Sequence, residues 1–230
     1  LAATPPPRES LTGRRLTGRV QAVGLNFYER PFRGSKRLGV KYLDNLFPVF
    51  SQVDGEALGR GNTTWFRLPE GYIHSSFVQP VQPRLNLPVS PFPEGGFPGE
   101  ITQPYVDARK QPARYSGILY RLYYLSAYWV RALVTDDAGQ PWYKLHDDRL
   151  DIYYYVPAHS VRRVTPQELT PLSPGVRDKR IVVNLSDQRL TAFEGARVVL
   201  DTPISGGLRI IKDEIWNGRY LTPTGKFRVE

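Results

Sequence analysis

Apolar and polar residues alternate in short runs along most of this chain, and Pro or Gly interrupts the runs every few residues. Trp65-Phe66-Arg67-Leu68 and Trp142-Tyr143-Lys144-Leu145 are two such runs. Alternation over four to eight residues is typical of a half-buried β-strand. With 21 Pro and 20 Gly in 230 residues, uninterrupted helical periodicity is hard to find. The sequence therefore predicts an all-β fold of short strands joined by turns.

The first three quarters of the chain contain what look like two diverged copies of one unit. Each copy has a turn, a Trp strand, a Tyr-containing strand and a final Val, in that order. In the first copy these features are Asp54-Gly55, Trp65–Leu68, Gly71-Tyr72-Ile73-His74 and Val78. In the second they are Asp137-Ala138-Gly139, Trp142–Leu145, Tyr154-Tyr155-Val156 and Val161, with extra residues around Asp147 to Asp151. Each copy is therefore expected to close into a small barrel.

This order of strands resembles the bacterial SH3-like domain. The resemblance predicts one SH3-like barrel over residues 16–81 and a second over residues 97–172, joined by a Pro- and Gly-rich linker over residues 82–96. Small barrels need large side chains to form any core. The aromatic residues Trp65, Trp142, Tyr72 and Tyr154 are accordingly expected in the cores. The dense Tyr and Trp residues of 120–130 would also suit a carbohydrate or peptide surface.

A third segment, residues 178–230, begins with three apolar runs joined by tight turns. The predicted strands are Arg180–Leu185, Leu190–Glu194 and Arg197–Ser205, with Lys226–Val229 as a fourth. Short connections between alternating runs favour an antiparallel meander. Four strands form only part of a sheet, so apolar side chains are expected to remain uncovered.

The third segment resembles the first half of the catalytic domain of L,D-transpeptidases of the YkuD type. The resemblance rests on Ile-Val-Val-Asn-Leu, then Gln188, then Leu-Thr-Ala-Phe-Glu-Gly, then a strand leading to Ser205-Gly206, and finally Thr-Pro-Thr-Gly. Two SH3-like modules ahead of such a domain also resemble known cell-envelope arrangements. The expected architecture is two SH3-like barrels followed by this β-rich half domain.

The resemblance implies acyl transfer between peptidoglycan stem peptides by a Cys nucleophile. In that family a His-Gly pair and a Ser-His-Gly-Cys stretch come later in the chain, and the His activates the Cys. The 230 residues contain no Cys, so no catalytic residue is assigned within them. The three His residues, His74, His146 and His159, lie in the two copies and are expected to be surface or turn residues.

Six residues match family positions near the active site and are candidates for substrate binding. These are Ser205, Gly206, Gly207, Thr222, Thr224 and Gly225. Loop geometry is the alternative explanation for them, because Gly permits positive φ and Pro223 fixes φ at a turn. No metal ligand set and no cofactor are expected.

The chain begins Leu-Ala-Ala-Thr-Pro-Pro-Pro and contains no Met. Residues 1–15 are interpreted as a Pro-rich stem, and residues upstream of Leu1 are expected. The stem is equally consistent with a flexible tail of any origin. A secreted or membrane-anchored protein of the cell envelope is expected, with any membrane anchor upstream of Leu1.

The formal net charge of +9 favours an anionic partner. Arg30, Arg33, Lys36, Arg37 and Lys41 form the densest basic cluster, and a solvated basic face is the plainest interpretation of it. Nucleic-acid binding is not expected, since no recognition motif accompanies the charge. Peptidoglycan stem peptides or anionic wall polymers are the expected partners. Two functions remain open: a wall transpeptidase, or a non-catalytic envelope protein that works through its SH3-like domains.

Overall fold

The structure, a computed structural model, describes residues 16–58, 61–148, 150–204, 206 and 222–228. The fold is all-β, as predicted, and no helix of seven or more residues occurs in those ranges. Contacts divide the chain into two compact units, residues 1–169 and residues 170–230. The predicted stem, residues 1–15, lies outside the described residues.

The first unit begins with eight strands that form two antiparallel sheets. The strands are β1 (Leu16–Val20), β2 (Gly24–Tyr28), β3 (Arg37–Tyr42), β4 (Leu46–Val49), β5 (Ser51–Leu58), β6 (Asn62–Arg67), β7 (Tyr72–His74) and β8 (Val78–Val81). The order in the smaller sheet is β4-β1-β8, and in the larger sheet it is β3-β2-β7-β6-β5. A short 3-10 turn, Ser75–Phe77, connects β7 to β8.

The remaining strands of this unit form one seven-stranded sheet with the same connectivity. They are β9 (Phe97–Ile101), β10 (Tyr105–Arg109), β11 (Ile118–Tyr123), β12 (Ala127–Thr135), β13 (Pro141–Asp147), β14 (Ile152–Pro157) and β15 (Val161–Arg163). Their order is β11-β10-β14-β13-β12-β9-β15. The long strand β12 takes the place of both β4 and β5, so the two sheets of the first copy become continuous in the second.

The strand registers of the two copies correspond pair by pair. Trp65 lies opposite Val53 and His74, and Trp142 lies opposite Val134 and Pro157. Equivalent turns before β4 and β12 contain residues with positive φ, 64° at Asp44 and 65° at Leu125. The copies differ at the hairpin between the Trp strand and the Tyr strand. Its last paired residues are Arg67 and Tyr72 in the first copy, whereas in the second the pairing continues beyond the equivalent Lys144 and Tyr155 as far as Asp147 and Ile152. The first copy is therefore structurally equivalent to the second, with a longer β13–β14 hairpin in the latter.

Large side chains fill the interior of each copy. Trp65, Trp142 and Tyr154 are buried, as the sequence predicts, whereas Tyr72 is only half-buried. In the second copy Tyr143 is fully buried and packs edge-on against Phe97, with ring centroids 5.5 Å apart. The largest aromatic residues therefore serve the cores.

Residues 82–96, the predicted linker, follow the surface of the second copy through specific hydrogen bonds. The main-chain N–H of Asn86 donates to His159 O (3.0 Å), and its side chain donates to Thr102 Oγ1 (2.7 Å). The main-chain N–H of Val89 donates to the buried hydroxyl of Tyr143 (2.7 Å). Burial raises the pKa of this hydroxyl above its usual range. The segment is therefore held along its length.

A buried charged network joins the two copies. The Arg19 guanidinium binds Asp44 (2.7 Å) and Gln79 (2.8 and 3.0 Å), and it stacks over the Tyr123 ring at 4.2 Å. Asp44 also accepts from Arg121 of the second copy (3.0 Å). The hydrogen bonds of Arg121, mainly the one to Asp107 and to a smaller extent the one to Asp44, raise the pKa of Arg121 above its usual range. One carboxylate of the first copy is thus shared by an arginine from each.

The second unit contains the predicted antiparallel meander. Its strands are β16 (Lys179–Asn184), β17 (Arg189–Glu194) and β18 (Arg197–Pro203), in the order β16-β17-β18. Apolar side chains remain exposed on both outer strands, including Ile181, Val183 and Leu200. The predicted fourth strand is wrong for residues 226–228, which are irregular and exposed because no neighbouring strand among the described residues pairs with them; Val229 lies outside those residues.

Candidate functional site

Gln188 links the β16–β17 turn of the second unit to the end of β18. It lies in the turn between β16 and β17 with a φ of 51°. Its side-chain N–H donates to Leu185 O (2.6 Å), and its side-chain oxygen accepts from the Gly206 N–H (2.6 Å). Its own carbonyl accepts from Ile204 N (2.8 Å). One amide side chain therefore holds the end of β18 against the β16–β17 turn.

The six candidate substrate-binding residues are only partly placed by the structure. Gly206 lies in the Gln188 junction, and a Cβ at this position would come within 2.9 Å of the Gln188 side chain. Thr224 and Gly225 are exposed, Thr222 is half-buried, and no described contact connects Thr224 or Gly225 to Gly206. Ser205 and Gly207 lie outside the described residues. The geometry gives Gly206 a structural reason, and substrate contact at all six stays a prediction.

A charged cluster lies between β17 and β18. The Arg189 guanidinium donates to the Asp201 carboxylate (3.1 Å from Nε), and Thr191 Oγ1 also contacts Asp201 (3.3 Å). The hydrogen bond from Arg189 is the main reason why the pKa of Asp201 lies below its usual range. Because these groups are exposed, they keep the sheet surface polar at the strand ends and add little stability.

The three histidines have different environments. His74 is buried, which corrects the expectation of a surface residue, although it does cap the 3-10 turn through Ser76 N (3.2 Å). Its Nε2 lies 2.9 Å from the Asn62 carbonyl, so Nε2 carries the proton and Nδ1 accepts. His159 is exposed and His146 is half-buried. The chain has no Cys that any of them could activate.

The outer face of the second copy carries aromatic and basic side chains side by side. Trp129 of β12 and Tyr153 of β14 are 41% and 45% exposed. The Arg131 guanidinium lies 5.6 Å from the Trp129 ring, and Lys144 Nζ lies 3.9 Å from the centre of the Tyr153 ring. Flat apolar rings with adjacent cations suit a ligand that has both apolar faces and negative charge. The sequence shows that Tyr and Trp are dense in these strands, but the alternation of apolar and polar residues does not tell which rings face outward.

The extended β13–β14 hairpin carries a second polar cluster. His146 stacks on Tyr153 with ring centres 4.3 Å apart. Its Nε2 is hydrogen-bonded to Asp151 (2.9 Å), and its Nδ1 lies 2.8 Å from Asp148 without forming a hydrogen bond. Distance alone suggests an ion pair at Nδ1, but the angular geometry decides against a hydrogen bond. His146 therefore covers one face of the Tyr153 ring.

The basic cluster of the first copy is exposed except for the half-buried Lys41, and it is partly neutralised. Lys41 Nζ binds Glu70 (2.6 Å), and this hydrogen bond lowers the pKa of Glu70 below its usual range. Arg33 binds Glu56 (3.3 Å). The side chains of Arg30 and Arg37 form no ion pair with described residues, so they leave uncompensated positive charge at this end of the first copy.

The described ranges contain neither a candidate metal site nor a candidate membrane span. Residues 16–58, 61–148, 150–204, 206 and 222–228 include no group of three or more His, Asp or Glu side chains placed to hold a metal. In the same ranges no helix has the length and apolar character needed to cross a membrane.

No family model matches the chain, and no curated protein matches it. Among solved structures, the chain is similar to the CBD of the endolysin LysPBC5, with a TM-score of 0.23 and 13% identity over 66% of this chain and 95% of that one. NlpC2 from Trichomonas vaginalis is similar at a TM-score of 0.23 and 10% identity, over 71% of this chain and 53% of that chain. NlpC1 from the same organism is similar at a TM-score of 0.24 and 9% identity, over 71% of this chain and 50% of that chain. Scores and identities this low carry no argument about function.

Proposed function

We propose that the chain is the front part of a cell-wall L,D-transpeptidase. The two SH3-like barrels attach the enzyme to the wall, and the third segment is the beginning of its catalytic domain. The reaction is the exchange of peptidoglycan stem-peptide bonds by Cys acyl transfer, with the nucleophile outside these 230 residues. The protein acts outside the cytoplasm.

The observation that carries this proposal is the junction around Gln188. The resemblance depends on the order of a strand, Gln188, a return strand and a third strand that leads to Gly206. These elements are consecutive neighbours in one sheet, and the Gln188 side chain bonds both the turn and Gly206. A single residue at the centre of the matching pattern thus has a structural reason to be Gln.

The barrels supply features that suit wall attachment. The second copy exposes Trp129 and Tyr153 beside Arg131 and Lys144. The +9 net charge favours the negatively charged polymers of a cell wall. Attachment raises the local concentration of stem peptides around a tethered catalytic domain.

A transpeptidation assay on stem tetrapeptides tests the proposal. The 230-residue chain, which has no Cys, is expected to show no turnover. The natural polypeptide that includes a downstream Ser-His-Gly-Cys stretch is expected to turn over and to lose activity after thiol alkylation. Turnover by the 230-residue chain alone would contradict Cys chemistry.

The alternative function is a non-catalytic envelope protein that binds through its barrels. The exposed aromatic and basic face of the second copy favours it, since binding needs no nucleophile. Absence of Ser-His-Gly-Cys from the natural polypeptide, together with retained wall binding, would select this alternative.

A further inference from the structure

The two copies share one hairpin loop with almost identical backbone geometry. It joins β2 to β3 as Pro31-Phe32-Arg33-Gly34-Ser35 and β10 to β11 as Pro112-Ala113-Arg114-Tyr115-Ser116. The Phe32 N–H donates to Arg30 O in the first loop, and the Ala113 N–H donates to Gln111 O in the second, both at 2.8 Å. Likewise, the Ser35 N–H donates to Phe32 O and the Ser116 N–H donates to Ala113 O, both at 3.1 Å. Pro, Arg and Ser therefore occupy equivalent places in both loops.

Loop geometry explains the Ser and the Pro but not the Arg. The hydroxyl of Ser35 accepts from Arg30 N (3.2 Å), and that of Ser116 accepts from Gln111 N (3.0 Å). Pro fixes φ at the start of each turn. The guanidinium of Arg33 and that of Arg114 bond no group within their own loops, and both side chains are exposed. A ligand outside the loop is the remaining reason for an Arg at this position.

In the first copy, the chain itself supplies that ligand. The Glu56 carboxylate accepts from the Arg33 N–H (2.6 Å) and from the Arg33 guanidinium (3.3 Å). The main-chain N–H of Glu56 donates to Pro31 O (2.8 Å). The preceding residue, Gly55, passes so close that a Cβ there would lie 2.2 Å from Pro31 O. An extended Gly-Glu segment is thus held by one main-chain bond and one carboxylate.

These contacts are strong enough to perturb the glutamate. The N–H of Arg33, followed by its guanidinium, lowers the pKa of Glu56 below its usual range. Charge-assisted hydrogen bonds of this kind are stronger than those between neutral groups.

In the second copy the same groups have no ligand. The chain turns at Asp136–Gln140 directly after Thr135, so no segment equivalent to Gly55-Glu56 reaches the loop. Within the described part of the chain, Pro112 O and the N–H and guanidinium of Arg114 make no hydrogen bond. The Arg114 guanidinium only lies 5.7 Å from the centre of the exposed Tyr115 ring. Residues 109–117 contain three basic side chains and no acidic one.

We propose that the Pro112–Ser116 loop binds an extended peptide segment with an acidic side chain, as Gly55-Glu56 binds the equivalent loop of the first copy. The ligand's main-chain N–H donates to Pro112 O, and its carboxylate accepts from the N–H and guanidinium of Arg114. The main-chain bond makes a peptide the ligand, rather than a phosphate polymer or an acidic sugar. This inference goes beyond the proposed function and does not depend on transpeptidase activity.

A labelled peptide with the chain's own sequence Gln-Val-Asp-Gly-Glu-Ala-Leu, residues 52–58, is the probe. Fluorescence anisotropy with the full chain is expected to show saturable binding at one site. Arg114→Ala, and a peptide with Gln in place of its Glu, should each weaken binding by about tenfold or more. Arg33→Ala is the matched control and should leave binding unchanged, because Glu56 already occupies Arg33. Arg114→Gln should weaken peptide binding in the same way as Arg114→Ala. Thermal melting of each variant checks that it is folded.

Glu56→Ala provides an independent readout. It removes the internal carboxylate but leaves the main-chain N–H of residue 56 on Pro31 O (2.8 Å), so Pro31 O stays occupied and the stoichiometry is expected to remain one peptide per chain. A second, Arg33-dependent site in this variant would show that the main-chain bond is dispensable, and the assignment of a peptide as the ligand would then be wrong. Absence of saturable binding, or equal binding by wild-type and Arg114→Ala chains, would overturn the inference. Polyphosphate binding that depends on Arg114, without discrimination between Glu and Gln peptides, would overturn it too, because the loop would then be a simple anion site.

Discussion

Replacement of Arg19 by Ala is expected to destabilise the first unit by about 3 kcal/mol. Arg19 is 4% exposed, and its guanidinium makes bonds to Asp44 and Gln79 together with the stack on Tyr123. Its loss leaves the buried Asp44 carboxylate with fewer donors and leaves Gln79 unpaired. A buried polar group without a partner costs more than the bond it loses. Urea unfolding at neutral pH measures the change.

The matched control is Arg131→Ala, which removes an exposed arginine paired with Asp148 at 3.2 Å. Exposed ion pairs contribute about 0.2–1 kcal/mol, so this variant should unfold near the wild-type midpoint. An Arg19→Ala chain no less stable than Arg131→Ala would mean that the network between the copies is energetically neutral. Because Arg19 also stacks on Tyr123 of the second copy, Arg19→Ala should in addition weaken the coupling between the unfolding of the two copies, while the Asp44–Arg121 pair remains.

Trp65→Ala is expected to be the most damaging single substitution, at about 4 kcal/mol. The indole is completely buried, packs edge-on against Tyr28 and His74, and donates from Nε1 to Glu56 O (2.9 Å). Truncation leaves a cavity and removes the bond that places Glu56 on its loop. Trp142→Ala, at the equivalent position, should have a similar cost.

Trp129→Ala serves as the comparison, since this side chain is 41% exposed. Its cost should be roughly 1 kcal/mol or less, as for most surface substitutions. Thermal and urea unfolding of Trp65→Ala, Trp142→Ala and Trp129→Ala ranks the three variants by their loss of stability. Equal losses from Trp65→Ala and Trp129→Ala would contradict the assignment of Trp65 to the core.

Local patterns explain why much of the fold can be predicted from the sequence. In the Trp-aromatic-basic-Leu runs, alternation places the second and fourth residues, Phe66 with Leu68 and Tyr143 with Leu145, on the face toward the hydrophobic cores. Trp65 and Trp142 share the other face with Arg67 and Lys144, so alternation alone does not account for the burial of the two Trp side chains. Tight turns between apolar runs likewise predict the β16-β17-β18 meander. Each of these patterns involves residues that are close together in the sequence.

Contacts between distant residues could not be predicted in this way. Asp44 binds Arg121, and Asn86 binds Thr102 and His159, through partners that no local pattern connects. For the same reason the composition of residues 82–96 indicates a linker although its backbone is held. The opposite error occurs at residues 226–228, where the sequence predicts a strand that the structure does not contain. No neighbouring strand among the described residues pairs with this segment.

Sedimentation with purified peptidoglycan tests the central claim that the barrels attach this protein to the cell wall. The 230-residue chain is expected to enter the pellet in a saturable manner at about 0.15 M salt, where long-range charge effects are screened. The doubly substituted chain Trp65→Ala, Trp142→Ala keeps the net charge of +9 but not the barrel cores, and it should remain in the supernatant. A wild-type chain that stays in the supernatant, or equal pelleting of both chains, would contradict the account.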